Sequence, residues 1–535
     1  MKIIKKYLIL TFSVFVLASC GDDWLDINQD PNNPQEGTLS LILPAAQVSK
    51  AFRMTRDINK NTMVFSRMVY DLSESQYTQD PTTYSNDYDG LFANALKEMQ
   101  EVIDQGTALE AWNYVGVAKI TKAHTYAVMV DLWGNIPFND ALSGEEERTP
   151  DFTDAGEIYN SLIALIDEGI ADLDKESSLT SVDGDLVYGG DLDQWEMAAN
   201  TLKLKLYLNL RLVDAAAATA GINDLLANAE LITDNDDDYS FTFGSSLTPN
   251  NRHPMYQIEY IEGAKDVYMS HYFMYNLIKK EDPRLPFYIY RQGSDDELDF
   301  ETTPCSNRTD CVYGLLSDTD LGEAGEGYLG RDHGDPSGIP GDNEIRATYG
   351  VYPIGGLYDD NAREETEQGD GGAGAGIIPY LTNAMRAFML AEAKLTLSGI
   401  SGGETVETYF EEGIRASMAS VESLGLSLDT DAEAMDSDAI DAYVTARLDE
   451  YAAASDNNLK LNVLIKEKYY AQFGNGMEVF TDLRRTGFPG DLPASLAPAA
   501  PFPLRLPYSI TELNTNPNAP SPPPALDSPL FWDVN

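Results

Sequence analysis

From about Leu39 onward, apolar residues recur at helical spacing. In "EIYNSLIALIDEGIADL", Ile158, Leu162, Leu165, Ile166, Ile170 and Leu173 fall three or four residues apart, the period of one buried helix face. Thr153, just upstream, is the expected cap. Similar stretches cover roughly 86–104, 108–131, 378–398, 404–423 and 457–473. They come as neighbours with short connections, which predicts antiparallel helix hairpins stacked side by side. No strict period repeats, so a regular tetratricopeptide array is not expected.

One stretch reads both ways. "TLKLKLYLNLRLV", Thr201 to Val213, alternates leucine with polar residues, which by period alone means a strand. Its residues are mostly strong helix formers, so a helix with leucines on two faces, sandwiched between neighbours, is the favoured reading. Between about 231 and 376 the pattern breaks: Gly, Asp, Pro and Tyr dominate, and helical spacing survives only around 264–280. A long irregular insertion within a helical scaffold is usually functional or disordered. A second loop-rich, proline-rich region follows Arg485.

Charge narrows the partners. The 535 residues include 36 Lys and Arg against 87 Asp and Glu, a net charge of -51, while hydrophobic residues make up 43%. There is ample core material, and the negative field disfavours nucleic acid and anionic membrane surfaces. The acidity serves solubility or, among clustered carboxylates, divalent cations such as calcium. At the start, Lys2, Lys5 and Lys6 precede an apolar run from Tyr7 to Leu17. That run is too short to cross a bilayer, which takes about 20 residues, and has the form of a secretory signal over residues 1–19. Cys20 follows, then the turn-forming "DINQDPNNPQEG", so residues 20–38 read as a tether. If processing consumes Cys20, Cys305 and Cys311 remain. In an oxidising compartment they form a disulfide, the alternative being two free loop thiols. No second Cys pair or nearby His cluster supports zinc.

Catalytic signatures are sparse. His124, His253, His271 and His333 lie far apart, and neither a G-x-S-x-G elbow nor a Walker A loop occurs. "GDGGAG", Gly369 to Gly374, matches a dinucleotide fingerprint but follows polar "EETEQ" rather than a buried strand, so it reads as a flexible loop. "DNDDDYS" spaces aspartates like the start of an EF-hand, yet has Tyr239 and Ser245 where Gly and Glu are required, which leaves at most a casual calcium site and no metal ligand to name. No cofactor is expected. Tyrosines are more informative: Tyr77, Tyr84 and Tyr88 stand among polar turn residues between two helical stretches, and Tyr328, Tyr352 and Tyr358 stand similarly in the irregular insertion. Such rings either pin long loops to the scaffold or offer an apolar face beside hydrogen-bonding groups, which suits sugars or peptides.

Several motifs carry a family resemblance. "DLWGNIPFNDAL" (Asp131–Leu142), "EKYYAQFGNGMEVFTDLRRTGFP" (Glu467–Pro489), "LRLPYSITELNTNPN" (Leu504–Asn518) and the closing "PLFWD" resemble, in order and spacing, the signatures of SusD/RagB-like nutrient-binding lipoproteins of Bacteroidetes. Trp133 and Asn135 depart mildly from the usual Tyr and Asp. "LASC" is similar to a bacterial lipobox in which Cys20 is acylated, and Asp22 and Asp23 resemble a cell-surface export signal. The resemblance implies a mostly α fold of tetratricopeptide-like hairpins (mainly 39–230 and 378–482) packed against the irregular insertion (231–376) and the C-terminal loops (486–535). Residues 39–535 would then form one domain.

It also implies a lipid-anchored protein of the outer membrane that faces the exterior, captures a nutrient, commonly an oligosaccharide, and delivers it to a SusC-like TonB-dependent β-barrel without catalysis. A surface-anchored glycoside hydrolase and a purely protein-binding helical scaffold are the alternatives. The shared motifs read as framework. Gly134 and Pro137 redirect the chain at a helix end, while Arg484 and Arg485 hold carboxylates or terminal carbonyls. Ligand contacts are placed on the loop carrying Tyr77, Tyr84 and Tyr88 and on the three insertion tyrosines.

Overall fold

The computed structural model describes residues 37–144, 147–261, 267–300, 302–337 and 345–534. The signal segment, Cys20, Asp22 and Asp23 lie outside them. The chain is mostly α. Its longer helices are α1 (Leu39–Arg53), α2 (Asn59–Phe65), α3 (Lys97–Ala108), α4 (Trp112–Trp133), α5 (Ala155–Leu173), α6 (Leu192–Asn209) and α7 (Ala215–Asn228). After the irregular region, which holds α8 (His271–Lys279), come α9 (Asn383–Thr396), α10 (Val406–Leu428), α11 (Ser437–Ala453), α12 (Asn457–Ala471) and α13 (Gly476–Thr486). Among these described residues no helix is long and apolar enough to cross a membrane.

Sequential helices pack on one another through α3–α7, and α9 packs on α10 and α12 in a second set joined to the first where α9 meets α6. The Thr201–Val213 stretch is helical almost throughout: Leu202, Leu204, Leu206 and Leu208 are all buried because α6 packs against four helices, α4, α5, α7 and α9. Two local expectations shift. Asp154, not Thr153, caps α5, its carboxylate accepting from the backbone N–H of Gly156 at 2.9 Å and Glu157 at 3.4 Å, while Thr153 is drawn into a strand. The predicted helix over 378–398 begins with a strand.

Strands occur among the described residues as four antiparallel pairs: β1 (Val69–Tyr70) with β5 (Tyr268–Met269), β2 (Ile136–Pro137) with β3 (Phe152–Thr153), β4 (Tyr239–Thr242) with β8 (Ile377–Leu381), and β6 (Ile289–Tyr290) with β7 (Thr348–Tyr349). The β4–β8 ladder pairs Tyr239 with Leu381 and Thr242 with Ile377, so it clasps both ends of the irregular region together. "GDGGAG" is no loose loop: Gly374 donates to the Gly355 carbonyl at 3.0 Å and its own carbonyl accepts from His253 N at 2.8 Å.

The family-like motifs converge on one junction. α4 stops at Gly134, where φ of +78° suits a residue without a Cβ. Trp133 Nε1 donates to the Pro507 carbonyl at 2.8 Å, Tyr508 to the Asn135 carbonyl at 2.6 Å, and Trp532 Nε1 to Asp131 at 3.1 Å. Arg484 donates to the carbonyls of Asp131 at 2.7 Å and Leu504 at 2.9 Å, while Arg485 grips Glu392 and Asp482, each at 2.7 Å. One arginine serves carbonyls and its neighbour serves carboxylates.

Candidate functional site

The tyrosines singled out in the sequence do not gather around a cavity. Tyr77, Tyr84, Tyr88, Tyr328 and Tyr352 are buried and Tyr358 is half-buried. Tyr77 accepts from Arg67 at 2.8 Å and shares a 2.9 Å hydrogen bond with His333, with its ring edge-on to Phe502. Tyr84 accepts from Asn61 at 3.1 Å, and Tyr88 packs 5.3 Å from the Trp133 ring. Tyr328 lies under the Arg291 guanidinium, Tyr352 against Tyr288, and Tyr358 edge-on to Phe287. In this conformation the first five offer no ring face to a ligand. Their hydroxyls find buried partners or their rings find aromatic neighbours, so burial wins over display.

Cys305 and Cys311 are joined by a disulfide, Cα atoms 6.3 Å apart. Asp332 lies close to both sulfurs. It accepts from the N–H groups of Val312 at 2.7 Å and Tyr313 at 2.9 Å and pairs with His271 Nδ1 at 2.9 Å, so the trio clamps a loop. With both sulfurs bonded to each other, it offers no thiolate to a metal.

A pocket of about 470 Å³ opens elsewhere, between the C-terminal end of α1, the end of β4 and the loop that follows it. Its size is that of a small-ligand site. α1 is apolar on more than its inner face. Leu43, Ala46 and Lys50 point into the protein, whereas Val48 and Phe52 stay exposed on the side that borders the pocket, Phe52 at 41%. Past Arg53 the helix widens into a single π-type turn over Met54–Ile58, where Arg56 leaves helical geometry (φ -86°, ψ -114°) and reaches the pocket rim. On the opposite wall, Phe241, Thr242 and Phe243 border the pocket, the two phenyl rings largely buried, 5.2 Å apart and edge-to-face.

The loop after β4 supplies polar groups. Gly244 donates to the Asn251 carbonyl at 2.9 Å, and Ser246 N donates to the Asn251 side chain at 2.8 Å. A Cβ on Gly244 would sit 2.3 Å from Asn251 Nδ2, so a larger residue there would push the Asn251 side chain out of its present place. Arg252, 5% exposed, donates through Nε to Asn250 Oδ1 at 3.2 Å and through Nη2 to Gln257 Oε1 at 2.8 Å. Below it, His253 is buried against the Phe243 ring, its Nδ1 accepting from Met255 N at 3.2 Å, and burial pushes its imidazole down to about 3.

The walls are braced. Gln47 of α1 accepts from Leu186 N and donates to Asp185, both at 2.8 Å, fixing the Leu186 edge. Lys50 donates to the Tyr239 hydroxyl at 2.6 Å and lies 3.8 Å above the Tyr380 ring, which ties α1 to β4 and β8; burial drives its pKa well below the usual lysine range. The site therefore offers one exposed phenyl ring, Phe52, the edges of the buried Phe241 and Phe243 rings, side-chain amides and two guanidinium groups on fixed elements. The sequence signal for it is "FTFGSSLTPNNRHP", alternating phenylalanines followed by a turn rich in asparagine, a pattern less conspicuous than the tyrosine-bearing loops. A second cavity of about 370 Å³ is bordered by Arg67, Arg484 and Phe502. Its guanidinium groups are engaged by backbone carbonyls, as at Pro493 O (3.0 Å) and Leu504 O (2.9 Å), in a framework role.

Comparison with known proteins follows the same line. The SusD-like_2 family model, described as starch-binding and associating with the outer membrane, matches residues 31–305. The model for SusD and RagB outer-membrane lipoproteins matches 376–519. No curated protein matches the sequence significantly. Among solved structures, a chitin-binding protein is 20% identical with a TM-score of 0.71, covering 93% of this chain and 100% of its own. A SusD/RagB family protein from Bacteroides thetaiotaomicron is also 20% identical at 0.71, covering 94% and 100%. A chitin-binding SusD homologue from Flavobacterium johnsoniae is 17% identical at 0.69, covering 93% and 99%. At these identities the likeness is one of fold.

Proposed function

Because this chain belongs to the SusD-like family of outer-membrane lipoproteins, we propose that it captures an oligosaccharide at the cell surface and passes it, unaltered, to a SusC-like TonB-dependent β-barrel. The supporting observation is the lining of the α1–β4 pocket: Phe52, Phe241 and Phe243 beside Asn250, Asn251 and Gln257. Aromatic rings cover the C–H faces of a sugar, and amides exchange hydrogen bonds with its hydroxyls. A glycoside hydrolase needs two carboxyl groups flanking the scissile bond. The described lining supplies none, which favours binding over hydrolysis. Chitin binding by two structural relatives points to the same ligand class.

In this reading residues 1–19 direct export, Cys20 carries acyl chains, Asp22 and Asp23 route the protein outward, and 39–535 act as one binding domain. The test is a glycan array followed by calorimetry on the mature chain, with chromatography of the recovered glycan. Intact glycan and a Phe52→Ala variant weakened by about tenfold, the loss of one ring contact of about 1.4 kcal/mol, are the expected results. Cleaved glycan, or a glycan bound as tightly by Phe52→Ala, overturns the assignment of function or of site.

A further inference from the structure

Charge in the pocket runs against the chain. Acidic residues outnumber basic ones 87 to 36, yet the pocket lining contains Arg56 and Arg252 and no carboxylate. Elsewhere, several buried arginines of the scaffold meet acids, Arg284 with Asp282 at 2.6 Å, Arg346 with Glu259 at 3.0 Å and Arg485 with Asp482 at 2.7 Å, while others such as Arg484 meet backbone carbonyls. Arg252 is held by neutral amide oxygens on Nε and Nη2. Those contacts orient the guanidinium plane while leaving its charge uncompensated, and Nη1 has no protein partner among the described residues. Arg56, exposed on the widened turn, likewise forms no ion pair there. Asp87 lies 3.9 Å from Arg53, and burial, with Asp57 adding to it, holds its carboxyl up to about 7 although Arg53 and Arg56 both pull it down.

We propose that the pocket selects oligosaccharides bearing an anionic substituent, a uronate carboxylate or a sulfate ester, gripped by Arg252 and Arg56 while the exposed Phe52 ring covers the sugar. This rests on the glycan-binding reading above and narrows its substrate class. A planar guanidinium matches both groups with paired N–H donors. The net charge of -51 repels such a ligand at long range, so its retention depends on these direct contacts. Neutral glycans would use the rings and amides alone.

The experiment is calorimetric titration of the mature chain with four probes: tetragalacturonate, its methyl ester, a sulfated galactose tetrasaccharide, and neutral galactotetraose. The expected result is that tetragalacturonate or the sulfated sugar binds at least about tenfold tighter than its neutral counterpart, and the two charged arms tell carboxylate from sulfate. Arg56→Gln, at an exposed position, reduces that preference by about tenfold; Arg252→Gln reduces it as well and, by releasing Asn250 and Gln257, also weakens the neutral sugar. Arg56→Glu removes the preference. Equal affinity for charged and neutral sugars, or a preference that survives both substitutions, overturns the inference and leaves glycan capture standing. Failure of all four probes together with a broad glycan array removes both. Binding of an acidic peptide with no charged sugar bound overturns the inference as well.

Discussion

His253 lies buried beside the pocket wall, its imidazole against the Phe243 ring and its backbone N–H bonded to the Gly374 carbonyl, and that burial makes it an acid-sensitive point. Its pKa in the folded chain is about 3, against 6.5 for the ordinary group, because burial penalises the imidazolium. Unfolding therefore takes up a proton below pH 6.5, and the stability present above that pH is lost as pH falls towards 3. Between pH 7 and 5 this one group should account for about 2 kcal/mol. His253→Asn keeps a side-chain acceptor for Met255 N and removes the titration, so urea midpoints at the two pH values should differ less than in the parent by that amount. An unchanged difference would place the acid sensitivity with His124 and His333, also buried and lowered. The tyrosines show what single residues conceal in a sequence. A tyrosine amid Ser, Asp and Gly looks solvent-facing, but Tyr77 and Tyr84 satisfy their hydroxyls on Arg67 and Asn61, partners that only the fold brings near. Phe52 shows the reverse: it sits in an ordinary helical pattern, and its exposure follows from the loop after β4 standing off to form a pocket.

Between elements, two glycines, Gly116 and Gly169, meet where α4 crosses α5, and they differ in how much room they have. A Cβ on Gly116 would lie 2.4 Å from Leu173 Cδ2 and 2.8 Å from the Gly169 carbonyl, whereas one on Gly169 would meet nothing nearer than Ile120 Cγ1 at 3.1 Å. Gly116→Ala should thus cost about 1–3 kcal/mol through overpacking. Gly169→Ala should be nearly neutral, since the gain in helix propensity, up to about 1 kcal/mol, offsets the mild crowding. Chemical denaturation of both variants checks the order, and equal effects would mean the helices slide to relieve the contact. Elements with one clear apolar face were legible in the sequence; α5 is the plainest case. α11 was not, because Tyr443, Val444 and Tyr451 are its only buried residues and too few apolar positions mark the period. The two-residue strands escaped notice for a similar reason: a pair such as Val69–Tyr70 is too short to show alternation and exists only through its partner.

Across the whole molecule, one segment threads three apolar cores. Leu461, Leu464 and Ile465 of α12 belong to the core of α6, α7 and α9–α11. Tyr469, Tyr470, Phe473 and Val479 belong to the core under the irregular region, and Met477 and Phe480 of α13 reach the core of α1–α6 and the C-terminal loops. The motif "EKYYAQFGNGMEVFTDLRR" is therefore recognisable in the sequence because it is the place where separately packed layers must agree. It identifies the family and says nothing of the ligand, whose pocket lies on less patterned residues. Such threading couples the cores energetically. Phe473, fully buried between Phe273 at 5.0 Å and Tyr288 at 4.8 Å, tests the coupling. Phe473→Ala opens a cavity in the second core costing about 3–5 kcal/mol, while Trp133, Trp195 and Trp532 report from the first. If the cores unfold as one, tryptophan fluorescence and far-ultraviolet dichroism should shift downward together by a few degrees in a single transition. A tryptophan transition that stays in place while helical signal is lost earlier would show that the layers melt independently, and that the shared segment joins them without making them cooperative.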